Sequence, residues 1–503
     1  MRMRLISGIL ACLLITATAC SCKAKPTDTS SDAATETKLR YTFSEEVLAF
    51  VSDGEQKFKL QDKGYVKIYD KSKLDESTGT IINIDPQKTY HKIDGIGASF
   101  TETSAYLMTQ MSDEMRNDVM IKLFDSEKGI GLKLLRNTIA PSDYTPYEYA
   151  SYDDMPEGEE DFELEHFDMS AAKDQIEITK KAMEMNPDIK LFLSPWTAPL
   201  WMKTERDWLA VEQPKLRRDC YDVYARYLVK CIQGYEEKGV PVFAITAQNE
   251  PFTVRTWPGM YWTWNDLANF TNDNFRPALD DAGLKTEIYN LDYNWSRFEE
   301  GDNIMATTMN TTQGIAYHWY SGDPEVMAKS KEYFPDKTIY VTEAAGGTPS
   351  GTSQLLNISS KICRSLRSGA SGYILWNMVL NPVGGPSVPN RFGQSMDTQC
   401  AALVTYDEDL KTISYPNDYY ACAHYSKYIL KDAVLVDSTD TGENSEYKLV
   451  NSVSLNPNGS MVINAVNSDS SSDAVIKFVM GDKVMEITLP RRSVVTLTWD
   501  ANI

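Results

Sequence analysis

Two glutamates stand out as residues that could do chemistry together. Glu250 lies in Gln248-Asn249-Glu250-Pro251 and Glu343 in Val341-Thr342-Glu343, each just after a short apolar run. Two carboxyl groups aimed at one bond can divide the work of breaking it. One protonates the departing oxygen while the other attacks the carbon it leaves. That is glycosidic cleavage with retention of configuration, and it needs the carboxyl groups about 5–5.5 Å apart. A gap near 9 Å would admit a water between them and give inversion instead. Aromatic residues fit the same chemistry, because indole faces stack on the apolar CH faces of sugar rings. Nine of the ten tryptophans fall between Trp196 and Trp376. Trp257, Trp262 and Trp264 occupy one loop after Glu250, TWPGMYWTW, and are expected to face a ligand, since exposed indole is costly.

The histidines are His91, His166, His318 and His424, and the chain has no HExxH and no CxxC. A zinc site is not expected. His318 is expected to touch a substrate hydroxyl, and His424 to be structural. Fixed charges and dipoles suffice for the proposed chemistry, so neither metal nor organic cofactor is expected.

The elements that must position these residues form a repeating pattern of apolar run, polar loop and helical stretch. Candidate strands are Ile93–Gly97, Leu132–Arg136, Lys190–Ser194, Val242–Gln248, Thr286–Leu291, Gly314–His318, Thr338–Thr342 and Gly372–Trp376. Runs such as IKLFLS and VFAITA are nearly all apolar, as in parallel strands buried on both faces. Helical stretches include Asp174–Met185, Arg217–Lys238, Asn357–Ser368 and Asp418–Ile429. Eight strands alternating with helices predict an α/β fold, a (β/α)8 TIM barrel. An open doubly wound sheet is the alternative, but no GxGxxG or GxxxxGK[ST] follows a strand. Reacting groups belong at the C-terminal strand ends of such a barrel. Those ends carry Arg136, then Asp143; Trp196 and Trp201; Asn249 and Glu250; His318, Trp319 and Tyr320; Glu343; and Trp376.

The ends of the chain read differently. YKLVNSVSL, MVINAVN, AVIKFVM, KVMEITL and SVVTLTW alternate and are separated by turn residues, which predicts antiparallel strands. Thr42–Tyr90 alternates as well, so both ends are expected to build one side β-sandwich. The expected layout is a signal over 1–19, a tether over 20–40, an N-terminal β segment over 41–90, the barrel over 91–430 and the C-terminal β segment over 431–503. Cys220 and Cys231 would sit about 16 Å apart on one helix and are expected to be free core thiols.

At these residues the chain resembles glycoside hydrolase family 30, the family of acid β-glucosidase. The matching stretches are GIGLKLLRNTIAPSDY (129–144), SPWTAPLWMKT (194–204), TAQNEP (246–251), IAYHWY (315–320), VTEAAGG (341–347) and WNMVLNPVGGP (376–386). The resemblance implies the same barrel with a side β-sandwich. It makes Glu250 the acid/base and Glu343 the nucleophile, with Asn249 on the sugar 2-hydroxyl. Arg136, Asp143, Tyr144, Trp196, Tyr320 and Trp376 would shape the subsite of the ring being cleaved; Trp257 is expected to bind substrate from its aromatic loop alone. The Trp-rich loop after Glu250 and Pro389-Asn390-Arg391 depart from the lysosomal enzyme. Both are expected at the leaving group.

Composition narrows the partners. Fifty Lys and Arg stand against 71 Asp and Glu, a formal charge of −21. Such a surface repels phosphates, so no nucleic acid partner is expected. Residues 1–21 have Arg2 and Arg4, an apolar run over Leu5–Ile15, and small residues before Cys20. This resembles a bacterial lipoprotein signal with Cys20 as the lipidation site. Ala17 stands where such signals usually carry leucine, so Cys22 or ordinary secretion are the alternatives. The expected protein is a monomer exported to the bacterial envelope, at the cell surface or in the periplasm, and held to a membrane only by its lipid. Its expected activity is retaining hydrolysis of β-glucosidic bonds, in the first place as an endo-β-1,6-glucanase acting on carbohydrate. Glucosylceramidase comes second and β-xylan or β-xyloside hydrolase third. A non-catalytic carbohydrate-binding lipoprotein is the alternative from another class.

Overall fold

A computed structural model describes residues 41–501 apart from 45, 346, 348–353, 398 and 442–447. Cys20, with the expected signal and tether, lies outside the described residues.

All eight predicted barrel strands are present. They are β1 (Gly95–Phe100), β2 (Leu134–Ile139), β3 (Lys190–Pro195), β4 (Ala244–Thr246), β5 (Glu287–Asn294), β6 (Gly314–His318), β7 (Thr338–Glu343) and β8 (Ala370–Leu375). They pair in parallel, each with its sequence neighbours, and β8 closes on β1. Every residue of β1, β2 and β8 is buried, including the polar Arg136, Asn137 and Thr138 of β2. Close packing shows at Gly97, where an added Cβ would lie 1.7 Å from the Leu134 carbonyl oxygen. Leu134, Phe192, Ala244, Tyr289, Ala316, Tyr340 and Ile374 form one apolar layer inside the barrel.

The helices follow their apolar periods closely. The stretch expected over Arg217–Lys238 is an α-helix over Tyr221–Glu237, led in by a 3-10 turn at Arg218–Cys220. Its buried face carries Tyr224, Tyr227, Leu228, Cys231 and Tyr235. Cys220 and Cys231 are free and buried, as are Cys363, Cys400 and Cys422. Among the described residues no helix is long and apolar enough to cross a membrane.

Both chain ends build the side domain, as expected. Its ten strands run in the order Gln61–Tyr65, Leu48–Asp53, Ser493–Asp500, Ser460–Asn467, Leu449–Leu455, Ala433–Ser438, Thr80–Ile93, Ala474–Met480, Lys483–Leu489 and Lys67–Asp70. The long strand Thr80–Ile93 is shared. Its first part pairs in parallel with Ala474–Met480, and its later part is antiparallel to Ala433–Ser438. Ile82, Phe478, Met485, Ile463 and Leu497 fill the core between these strands. Trp499 packs on Phe43 and donates its indole N–H to the Thr42 carbonyl at 2.9 Å, joining the two ends of the described chain.

Of the eight expected strands only Gly314–His318 has the limits expected, and two of the differences bear on the site. Strand β2 continues to Ile139, so Arg136 sits mid-strand and not at its end. Strand β5 continues past Leu291 to Asn294.

Candidate active site

Two residues beyond the apolar layer, the inward positions of the strands turn polar. Side chains alternate along a strand, so Leu134, Phe192, Ala244, Ala316 and Tyr340 are followed inward by Arg136, Ser194, Thr246, His318 and Thr342. Strand β5 breaks the alternation. Tyr289 should be followed by Leu291, but Leu291 and Asp292 both adopt left-handed φ values of 74° and 47°. The pairing with β6 shifts there, and Asp292 takes the inward slot one residue late.

Asp292 is the hub of this layer and is fully buried. Its Oδ2 accepts from Arg136 Nη2 at 2.9 Å and from the Ser194 and Thr246 hydroxyls, each at 2.7 Å. Its Oδ1 accepts from Thr342 at 2.6 Å and lies 3.0 Å from His318 Nε2. Burial alone would raise the carboxyl, yet Arg136 and His318 hold it well below the usual range. Burial pulls His318 down, but the Glu343 and Asp292 carboxylates outweigh it and push the imidazole up to about 9. Both ring nitrogens then donate: Nε2 to Asp292, Nδ1 to Glu250 Oε1 at 3.3 Å.

The two glutamates sit on top of this layer, at the C-terminal mouth. Arg136 Nη1 donates to Glu343 Oε2 at 2.7 Å, and the Tyr320 hydroxyl donates to Oε1 at 2.9 Å. Arg136 Nη2 also reaches Asn249 Oδ1 at 2.7 Å. Glu250 has a left-handed φ of 44° and donates its backbone N–H to the Asp292 carbonyl at 3.0 Å. Left-handed backbone at a non-glycine costs on the order of 1–3 kcal/mol and persists where neighbours enforce it. Burial raises the Glu250 carboxyl first of all, His318 partly opposes this, and the Glu343 charge adds to it.

A carboxylate oxygen of Glu250, one of Glu343 and a His318 nitrogen all lie within 4.8 Å of one another. That spacing suits direct attack through a covalent intermediate and leaves no room for the separation of about 6.5–9.5 Å that inversion uses. The same three groups are close enough to hold a cation. Their hydrogen bonds argue for another use, since Arg136 and Tyr320 occupy both Glu343 oxygens and His318 donates from both nitrogens.

Above the pair opens a cleft of ≈ 340 Å³. Of the expected binding residues, Asp143, Trp196, Asn249, Trp257, Tyr320 and Trp376 line it together with Glu250 and Glu343. Trp196 and Trp376 stack at 5.1 Å, and the Arg136 guanidinium lies 4.8 Å from the Trp196 ring. Asp143 Oδ1 and the Trp376 indole nitrogen are buried without a hydrogen-bond partner. Such groups cost free energy until something fills them, and sugar hydroxyls have the right donors and acceptors.

Three expected contacts are corrected. His318 is fully buried beneath the cleft, and its nitrogens are already engaged, so it orients carboxylates and meets no hydroxyl. Arg136, equally buried, acts from behind and shapes the subsite through Glu343, Asn249 and the Trp196 ring. Tyr144 backs the wall, edge-on to Trp376 at 6.0 Å, with its hydroxyl donated to the Met396 carbonyl. Of the three tryptophans in the loop after Glu250, Trp257 alone lines the cleft, beside Thr253 and Arg255. Trp262 is buried against Tyr221 and Phe270, while Trp264 opens a helix and is exposed away from the cleft. The sequence reading missed Asp292. A carboxylate within a strand-like stretch, IYNLDYN, was the available signal. Tyr293 and Asn294, also lining the cleft, were missed with it. His424 is structural as expected: it is buried, lowered to about 3 by burial, and its Nδ1 lies 2.7 Å from the Thr496 hydroxyl.

A closed (β/α)8 barrel with two glutamate carboxylates within 4.8 Å of each other at its mouth has the make-up of a glycoside hydrolase. Comparison with known proteins agrees. The glycosyl hydrolase family 30 TIM-barrel domain matches residues 93–429, and the chain belongs to that family. It is 27% identical over 407 residues to the endo-1,6-beta-D-glucanase of Neurospora crassa, covering 78% of this chain and 80% of that one. It is 25% identical over 452 residues to the lysosomal acid glucosylceramidase of Mus musculus, covering 84% of each. Among solved structures, an endo-beta1,6-glucanase superposes with a TM-score of 0.78 at 27% identity, over 91% of this chain and 100% of that chain.

Proposed function

We propose that the chain is a retaining endo-β-1,6-glucanase in which Glu343 is the nucleophile and Glu250 the acid/base. The observation that carries the mechanism is the approach of the two carboxylates to within 4.8 Å across the floor of one cleft. Glu343, oriented by Arg136 and Tyr320, attacks the anomeric carbon. Glu250, its proton retained by burial, protonates the departing oxygen. The same group then deprotonates the water that releases the sugar. Trp196 and Trp376 support the ring, while Asp143 and Asn249 take its hydroxyls. The β-1,6 linkage is favoured by the similarity to two endo-1,6-glucanases, one known by sequence and one by structure. Export as a lipoprotein through Cys20, and the domain layout read from the sequence, belong to the same proposal.

The test is a substrate panel with products identified: β-1,6-, β-1,3- and β-1,4-glucans, xylan and glucosylceramide. Release of β-1,6-linked oligosaccharides is expected. Hydrolysis of glucosylceramide with the β-1,6-glucan untouched would replace this reading with the glucosylceramidase.

The raised Glu250 predicts a pH signature. With a poor leaving group, kcat/KM should fall as pH rises through the Glu250 pKa, because the acid form disappears. In Glu250→Gln the residual activity on the same poor-leaving-group substrate should lose that alkaline limb, whereas the glycosylation step with a dinitrophenyl glucoside, whose departure needs no proton, should stay near the wild-type rate. A limb persisting in the variant would assign it to another group.

A further inference from the structure

The loop after β2 carries a heavy load of charge. From Glu148 to Asp168 it holds ten carboxylates and no lysine or arginine. Two of the ten, Asp153 and Asp161, are 1% and 7% exposed, whereas carboxylates normally stay in water. Their carboxyl groups face each other within hydrogen-bonding reach, and the charge of Asp161 acts on Asp153.

The surrounding contacts leave a gap at this pair. Asp153 Oδ2 accepts the Trp201 indole N–H at 3.0 Å, but Asp153 Oδ1 is buried without a partner. Asp161 Oδ2 accepts from the His166 N–H at 2.8 Å and lies 2.9 Å from Nδ1 of the same residue, whose ring is exposed. Among the described residues no lysine or arginine pairs with either carboxyl. The basic side chains that reach this loop go elsewhere. Arg226 Nη2 donates to the Phe162 carbonyl at 2.6 Å, Lys230 Nζ to the Leu164 carbonyl at 2.9 Å and Arg206 Nη2 to the Met155 carbonyl at 2.9 Å, while Arg217 pairs with Glu160. Two carboxylates held together out of water, with one oxygen facing nothing, call for a positive charge between them.

We propose that Asp153 and Asp161 bind a calcium ion that fastens the loop after β2 to the turn at Trp201 after β3. The donors are hard anionic oxygens, the kind Ca2+ prefers, and the acidic loop around them attracts a cation from a distance. Carbonyls of the loop and water complete the shell of about six to eight oxygens that Ca2+ takes. The ion is structural and has no part in the chemistry, since neither aspartate lines the cleft. It braces the cleft all the same. The loop after β2 also carries Asp143, and Trp201 closes the segment that begins with Trp196, both of which line the cleft. The site is independent of which glycoside is cleaved.

The experiment starts from protein stripped with EGTA. CaCl2 at about 10 mM should raise Tm by about 2–6 °C, and NaCl of equal ionic strength should not. An equal rise with MgCl2, which demands a tight octahedral shell, would mean screening of the acidic loop and no site. Terbium, which replaces calcium and emits when a neighbouring indole is excited, should light up beside Trp201. Asp153→Asn and Asp161→Asn should each remove the calcium-dependent rise and most of the terbium emission. In EGTA, Asp153→Asn should melt no lower than wild type, because its amide can donate to Asp161 where two like charges stood. That result separates a lost ion from a damaged fold. A wild type indifferent to calcium, or Asn variants that keep the full rise, overturns the site. A wild type indifferent to calcium but stabilised on acidification from about pH 7 to 5 places a shared proton in the gap and overturns it as well.

Discussion

Glu343→Gln is expected to reduce turnover of an aryl β-glucoside by roughly 10⁴-fold or more, since no covalent intermediate can form without the nucleophile. The amide is nearly isosteric, so the fold should persist and the loss should be purely chemical. Glu343→Gly makes the assignment specific. Azide entering the vacated space attacks from the nucleophile's face and should give the α-glucosyl azide from an activated substrate. In Glu250→Gly, azide instead replaces the attacking water and should give the β-azide. The stereochemistry of each product is read by proton NMR. The opposite pairing of products would exchange the two roles, and unchanged turnover in Glu343→Gln would remove Glu343 from the reaction.

The second large effect is expected at Asp292, which no substrate reaches. Asp292→Asn leaves Arg136 and His318 buried with one anion fewer between them. Breaking a buried ion pair from one side typically costs about 3–5 kcal/mol. A loss of that order should appear in denaturant melts at neutral pH. It should come with reduced kcat, because Arg136 and His318 orient Glu343 and Glu250.

The pH dependence identifies the cause. The His318 imidazole is pushed up to about 9 from its ordinary 6.5, so its contribution to stability is complete below about 6.5 and is lost as pH rises through 9. Asp292 is one of the carboxylates that raise it, so Asp292→Asn should flatten the loss of stability between pH 7 and 9. Equal melts for variant and wild type, or an unchanged pH slope, would show that Asp292 is not the hub of the layer.

The barrel was legible in the sequence because several of its strands, buried on both faces, are nearly continuous apolar runs, and eight strand-like runs alternate with helical periods. Glu250 and Glu343 were legible for a related reason: a carboxylate directly after a buried parallel strand points into the barrel mouth. The chain ends alternated in period two, which identified a half-buried sheet. Periodicity could not tell one tryptophan from another. Trp257, Trp262 and Trp264 share a loop and a composition, yet only the path of the backbone decides that Trp257 faces the cleft and Trp262 the core.

Asp292 was hidden for a sharper reason. Strict alternation assigns the inward slot to Leu291, and a single bulge moves every later residue of β5 to the other face. That displacement depends on pairing with β6, a contact between distant segments. It brings a carboxylate under His318 and Arg136, and from there raises the imidazole and orients both glutamates. Sequence alone determined which side chains could react and on which strands they stand, because local burial patterns encode both. The tertiary structure decided their charges and their spacing, because those depend on neighbours that only the closed barrel brings together.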